Sequence, residues 1–245
     1  MTATGGHTSP VAPPLDDYLD PRFEAGRLDR AIPRRATLEA LRAQAPRLRG
    51  TVLDVGCGHQ PYRSIITGPG SGATGYIGLD LKPTIYQAPD LVWDGLAMPL
   101  ADGAVGAAVA TELLEHVPDP EPLLREVHRV LEPGGELFLT VPFLWPLHDV
   151  PFDEYRYTPF SLERRLRQAG FAAVEVRALG GWDASLGQLL ALWVRRRPMG
   201  DRKRRVLAAA ATPVVRWLAR ADQVPGEFRE STMLTALAAV ARKAG

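Results

Sequence analysis

The sequence predicts a single α/β domain: a doubly wound, seven-stranded and largely parallel sheet flanked by helices, with a helical insertion between the last two strands in sequence. Three observations predict it. Short apolar strand-like runs alternate with helix-spaced apolar stripes. The first such run, Thr51–Val55, leads directly into Gly56-Cys-Gly58, a glycine turn of the kind that joins a strand to a helix. The run Val105–Thr111 is built of small apolar residues, which suits a strand covered on both faces.

Taken in order, residues 1–20 read as a flexible tail and 21–245 as the domain, with 182–230 as the insertion. Met1–Pro14 lacks the basic start and apolar run of a signal peptide. Leu38, Leu41, Ala45 and Leu48 recur at helical spacing, and Pro46 ends that helix. Strands follow at Thr51–Val55, Gly75–Asp80, Asp90–Asp94 and Val105–Thr111. A stripe of Leu123, Val127, Val130 and Leu131 makes the next helix, and the turn Pro133-Gly-Gly135 leads into a strand at Glu136–Val141. Thr158 and Pro159 are an N-cap and first helical position, Gly170 ends that helix, and Ala173–Ala178 is the sixth strand. The apolar stretches Leu186–Val194 and Val206–Leu218 form a helical pair, and Met233–Val240 is the last strand.

Composition narrows the function. Apolar residues make up 46% and charged residues 23% of the 245, a globular balance. A formal net charge of +1 supplies no global basic field, which disfavours a dedicated nucleic-acid binder and favours a small partner. Cys57 is the only cysteine, so no disulfide forms within the chain and a cytoplasmic location is expected. No apolar run approaches the roughly 18 residues that span a bilayer. Peripheral membrane contact and a homodimer both stay open.

The glycines of Leu53-Asp-Val-Gly-Cys-Gly58 let backbone approach a ligand closely. A dinucleotide fingerprint would place another glycine three residues after Gly58, where Pro61 stands, so a nicotinamide cofactor is disfavoured. Asp80 ends the next strand, where a carboxylate can accept hydrogen bonds from both hydroxyls of a ribose.

From Thr51 to Phe143 the chain resembles the class I S-adenosylmethionine (SAM)-dependent methyltransferases, a Rossmann-like family, and within it the small-molecule group with a Glu-His-Val segment. Four landmarks in order carry the resemblance. They are Leu53–Gly58, Gly78-Leu-Asp80, Asp94-Gly-Leu-Ala-Met-Pro-Leu100, and Thr111-Glu-Leu-Leu-Glu-His-Val-Pro118 followed by Leu131-Glu-Pro-Gly-Gly135. The resemblance implies SAM as cofactor. Gly56 and Gly58 would border its methionine part, Asp54 would organise the loop, and Asp80 would hold the ribose. Leu81 would pack on the adenine, Asp94 and Gly95 would sit beside the adenine amino group, and Thr111 would lie near the methionyl end.

Methyl transfer is an in-line displacement, and an alcohol or protonated amine must also lose a proton, a task suited to histidine. His148 is the first catalytic candidate because its loop, Pro142–Thr158, leaves the carboxyl edge of the fifth strand, where ligands bind in open α/β sheets. Asp153 and Arg156 of that loop would help to form an acceptor pocket, or would pair simply to pin it. His116 is the second candidate. Glu112, Glu115 and His116 resemble the metal-ligand run of ubiquinone-pathway O-methyltransferases and small-RNA 2′-O-methyltransferases, but the plainer reading is that they shape the turn after strand four, and no metal site is assigned. His128, His7 and His59 are weaker candidates.

The run Arg195–Arg197 and Arg202–Arg205 places cations beside apolar helices, where they could meet a nucleotide-linked sugar, an anionic lipid surface or RNA; a solvated helix junction is the plainer reading. The reading that follows is a SAM-dependent methyltransferase acting on oxygen or nitrogen of a small metabolite, such as a sugar or a secondary-metabolite intermediate. The alternatives are an RNA methyltransferase and a non-catalytic SAM-binding protein.

Overall fold

The computed structural model describes residues 14–81 and 88–245. Seven strands form one sheet: β1 (Gly50–Val55), β2 (Ala73–Leu81), β3 (Leu91–Trp93), β4 (Val105–Thr111), β5 (Leu131–Pro142), β6 (Ala173–Leu179) and β7 (Ala236–Arg242). Their order is β3-β2-β1-β4-β5-β7-β6. The pairs β1–β2, β2–β3, β1–β4 and β4–β5 are parallel, while β7 runs antiparallel to both of its neighbours. The chain winds outward from β1 through β2 to β3, then returns to place β4 on the other side of β1. The crevice for a ligand therefore opens at the carboxyl ends of β1 and β4.

β4 explains why this centre is tight. Its residues are buried from Val105 to Ala110, and a Cβ added at Gly106 would stand 2.4 Å from the carbonyl oxygen of Arg49, so only glycine lets β1 and β4 approach there. One face of the sheet is covered by α2 (Leu28–Gln44) and the short α3 (Arg63–Ile66), whose Leu38, Leu41 and Ile66 pack with Val52, Val109 and Phe138. The other face is covered by α4 (Pro120–Val130) and α5 (Pro159–Gln168) through Leu123, Leu124, Val127, Leu162 and Leu166. Asp119 caps α4, and Thr158 and Ser161 form a reciprocal capping box on α5.

The connection from β6 to β7 carries α6 (Trp182–Arg196) and α7 (Asp201–Ala221), which share a separate core with Leu28 and Ile32 of α2. Asp222 clamps the start of α6, accepting from the Gly181 and Ala184 N–H groups at 2.8 Å each. No helix among the described residues is long and apolar enough to cross a membrane.

Two expectations are corrected. The tail expected over 1–20 meets a helix, α1 (Asp16–Leu19): buried Asp17 pairs with Arg27 at 2.6 Å and Arg30 at 2.7 Å, and the Tyr18 ring lies under the Arg34 guanidinium at 3.5 Å. Residues 1–13 of that tail, with His7, lie outside the described residues. The last strand, expected at Met233–Val240, begins instead at Ala236, because Thr235 is occupied in closing the sheet end. Its N–H donates to the Leu179 carbonyl at 3.1 Å, and its own carbonyl accepts from Phe143 and Leu144.

Candidate functional site

The loop after β1 is held from β2. The N–H groups of Gly56 and Cys57 donate to the Leu79 carbonyl at 2.9 and 3.1 Å, and Gly58 N–H donates to Asp80 Oδ2 at 2.8 Å. The other Asp80 oxygen accepts from Leu81 N–H at 2.7 Å. Gly56 has φ +69°, and a Cβ there would stand 2.6 Å from Leu113 Cδ1, so the loop and the segment after β4 touch through a gap that only glycine leaves.

Asp54 stands at the end of β1, two residues before Gly56. Its carboxylate is buried and accepts from the Tyr76 hydroxyl at 2.6 Å, while the direct side-chain bond to the Gly58 N–H comes from Asp80. Burial pushes the Asp54 carboxyl up to about 7, against the Tyr76 hydrogen bond, with the charge of Asp80 adding to the rise. Leu81 is exposed and lies beside Gly95, whose added Cβ would be 3.4 Å from Leu81 Cδ2. Asp94 Oδ1 accepts from Leu96 and Ala97 N–H at 2.8 and 3.2 Å; these bonds hold its carboxyl below the usual range. Thr111 closes β4 opposite Thr140. The cofactor candidates thus gather along the carboxyl ends of β1, β2, β3 and β4.

The segment after β4 bends at Glu112, which adopts φ +51° and accepts from the Thr140 hydroxyl at 2.8 Å. A 3₁₀ turn at Leu114–His116 follows, and the loop after β5 is sewn to it. The Glu115 carbonyl accepts from Glu154 and Tyr155 N–H at 2.9 and 3.1 Å, His116 Nδ1–H donates to the Phe152 carbonyl at 3.0 Å, and the Tyr157 hydroxyl donates to the Leu114 carbonyl at 3.1 Å. Two backbone-held segments far apart in sequence are thereby made one wall.

The side chains of that wall form a dense polar cluster. The rings of His116 and His148 meet edge to face with centroids 4.7 Å apart. His148 Nδ1 lies 3.2 Å from Asp153 Oδ2 without the alignment of a hydrogen bond, and that oxygen accepts from His148 N–H at 3.2 Å. Arg156 grips Asp153 with two nitrogens at 2.6 and 2.8 Å and reaches the Trp145 carbonyl at 3.3 Å. That grip, outweighing burial, holds the Asp153 carboxyl at about 2. Burial lowers the His148 pKa, partly offset by Asp153, so the ring stays neutral more readily than a free imidazole.

Glu115 is fully buried, and among the described residues neither of its carboxylate oxygens has a hydrogen-bond partner. Burial and the nearby Glu112 raise its pKa well above the usual range. Glu115, His116 and His148 each offer one ligand atom within 4.8 Å of the others, a set that could hold a divalent cation. Glu112 is not part of that trio. Sequence reasoning missed Tyr76, Thr140 and Tyr157, whose hydroxyls hold the site's frame; nothing in their local patterns marks them, because each acts across strands.

Residues 53–139 match the family described as methyltransferase domain. An uncharacterized methyltransferase of Mycobacterium bovis (strain BCG / Pasteur 1173P2) is 30% identical over 176 residues, covering 62% of this chain and 68% of its own length. One from Mycobacterium sp. (strain KMS) is 31% identical over 169 residues, covering 60% of this chain and 66% of its own, so the match spans just under two thirds of that relative. Among solved structures, the chain is similar to one from the Haloferax volcanii complex of the Trm112 methyltransferase activator with a methyltransferase, with TM-score 0.54, 19% identity, and 96% of this chain and 100% of that one covered. It is also similar to Haemonchus contortus phosphoethanolamine N-methyltransferase 2 in complex with SAM, with TM-score 0.53, 14% identity, and 96% and 61% covered. At these identities the two structures share the fold.

Proposed function

The chain belongs to the class I SAM-dependent methyltransferase family, and from that premise we propose that it transfers the methyl group of SAM to an oxygen or nitrogen of a small metabolite, such as a sugar or a secondary-metabolite intermediate. The observation that carries this reading is the meeting of two elements at one sheet edge: the loop Gly56–Gly58 tied to Asp80, and the His116–His148 wall that reaches it through Leu113. SAM, when bound, supplies an electrophilic methyl carbon on a sulfonium. Asp80 would accept from the ribose hydroxyls, Gly56 and Gly58 would give the methionine part room, and Leu81 with Gly95 and Asp94 would frame the adenine; Thr111 would sit at the methionyl end.

The wall supplies the base. With Nδ1 3.2 Å from Asp153, the carboxylate favours a proton on Nδ1 and would leave Nε2 as a lone pair for the acceptor's proton. Asp153, itself fixed by Arg156, sets the tautomer and steadies the imidazolium once the proton is taken. His116, anchored by Phe152, packs against His148 and limits its rotation.

Titration calorimetry with S-adenosylhomocysteine tests the cofactor: saturable binding is expected, weakened at least about tenfold in Asp80→Ala by loss of two hydrogen bonds to ribose. Binding of NAD⁺ in its place would overturn the reading. For the base, His148→Ala lowers turnover by about 10²-fold or more in a screen of alcohols and amines, while leaving S-adenosylhomocysteine affinity unchanged. Equal turnover removes His148 from the chemistry.

One observation favours a second reading. The Glu115 carboxylate, which has no hydrogen-bond donor among the described residues, fits a divalent cation together with His116 and His148; the cation would supply charge stabilisation to an acceptor oxygen, and His148 would then be a ligand instead of a base, as in an RNA 2′-O-methyltransferase. Stoichiometric metal in dialysed protein, lost in Glu115→Gln, supports this second reading; metal-free protein with full turnover supports the first.

A further inference from the structure

The insertion presents to solvent a surface that neither the sheet nor the candidate site uses. On α6 the exposed apolar positions are Trp182, Leu186, Leu189 and Trp193, 64, 57, 49 and 46% exposed, and Arg196 is exposed at the end of the helix. Their spacing places them in one stripe along the helix, while Ala184, Gly187, Ala191 and Val194 between them are buried. A solvated helix puts polar residues on its outer face. This one puts two tryptophans and two leucines there.

The stripe ends in cations. The Arg197 guanidinium lies over the Trp193 ring at 3.9 Å, and across the turn α7 opens with Arg202, Lys203 and Arg205 exposed. The basic run is therefore divided. Arg195 and Arg196 pair with Asp29, at 3.7 and 2.6 Å, and Arg204 is paired with Asp201 at 2.9 Å. Among the described residues no acid pairs with Arg197, Arg202, Lys203 or Arg205, which leaves three exposed cations and the half-buried Arg197 at the end of an apolar stripe.

We propose that this face of the α6–α7 hairpin docks on an anionic lipid surface. The complementarity selects that occupant. Exposed tryptophans and leucines gain by entering the boundary between headgroup and acyl chain, and cations at the same end gain from lipid phosphates. A second copy of the chain would cover the leucines with a stripe that itself carries no acid to meet the cations, and RNA would satisfy the cations but not the leucines. Docking would also be felt at the candidate site, because the Arg196 guanidinium lies 5.6 Å from the Trp145 ring centre, on the loop that carries His148. The proposal does not depend on which acceptor is methylated.

Co-sedimentation of the full chain with phosphatidylcholine vesicles, with and without about one-quarter phosphatidylglycerol, tests it. Binding is expected only to the anionic vesicles, with a blue shift in tryptophan fluorescence. Replacing three exposed cations together, Arg202→Gln, Lys203→Gln and Arg205→Gln, should weaken partition on the order of 100-fold. The pair Leu186→Ser and Leu189→Ser keeps every charge and should weaken it too, while unfolding curves confirm that both variants fold. Equal binding to both vesicle types, or to neither, overturns the proposal. So does a concentration-dependent dimer that the leucine pair abolishes without vesicles, or salt-sensitive RNA binding in place of vesicle binding.

Discussion

Replacing Asp54 by Asn should remove a measurable part of the pH dependence of stability. Asp54 is 4% exposed, and its carboxyl titrates near 7 in the fold against 3.8 for the free side chain. A tenfold change in proton affinity is worth about 1.4 kcal/mol, so ionising this group costs the fold about 4 kcal/mol relative to the unfolded chain. Between 3.8 and about 7 the folded protein keeps a proton that the unfolded chain has released; stability therefore falls as pH rises through that window. From pH 5 to pH 8 the contribution amounts to a loss of about 2–3 kcal/mol. Asn offers Tyr76 the same acceptor with no charge to bury. Urea unfolding of both proteins at the two pH values isolates the effect, because other titrating groups are common to both and cancel. The difference between them should change by that amount; a difference independent of pH would show that Asp54 is not held protonated.

Other outcomes follow from the same geometry. Gly56→Ala forces a non-glycine residue to φ +69° against Leu113 and should cost about 1–2 kcal/mol in thermal unfolding from the backbone alone, with weaker S-adenosylhomocysteine binding in calorimetry. Arg156→Ala leaves a carboxylate that is 2% exposed without its partner and should cost about 3–5 kcal/mol in urea at pH 7. Because Asp153 is held near 2, this stabilisation is present above about 4 and lost as pH falls toward 2, so the penalty should shrink at pH 3. Thr158→Ala removes half of the capping box on α5 and should lower stability by about 1 kcal/mol, seen as a shift in urea midpoint.

The cofactor edge is legible in the sequence because its logic is local: Gly56, Gly58 and Asp80 sit at strand ends that apolar runs reveal, and Val105–Thr111 is recovered with both ends in place. β7 is less legible because its alanines are buried on both faces, so no alternation marks where pairing begins; a tertiary demand on Thr235 sets the boundary. α1 leaves no signal since a four-residue helix carries no period, and its place depends on Asp17 finding Arg27 and Arg30. His116 and His148 each stand out along the chain, yet their contact is a product of the fold, made when Glu154 and Tyr155 dock on the Glu115 carbonyl. The basic run reads as seven free cations; only the folded chain brings Asp29 to two of them.

The position of β7 bears on how the chain is made. β6 pairs with no strand but β7, and β7 is translated only after the whole α6–α7 hairpin. While the ribosome is still producing the hairpin, β5 offers an unpaired edge and β6 has no lattice to join. When residues 236–242 emerge, one strand must zip two edges at once, so two of the seven strands join the sheet in a single late event. The bare flank of β5 is thus where a nascent chain would most need a chaperone, and slow translation of the hairpin would lengthen that exposure.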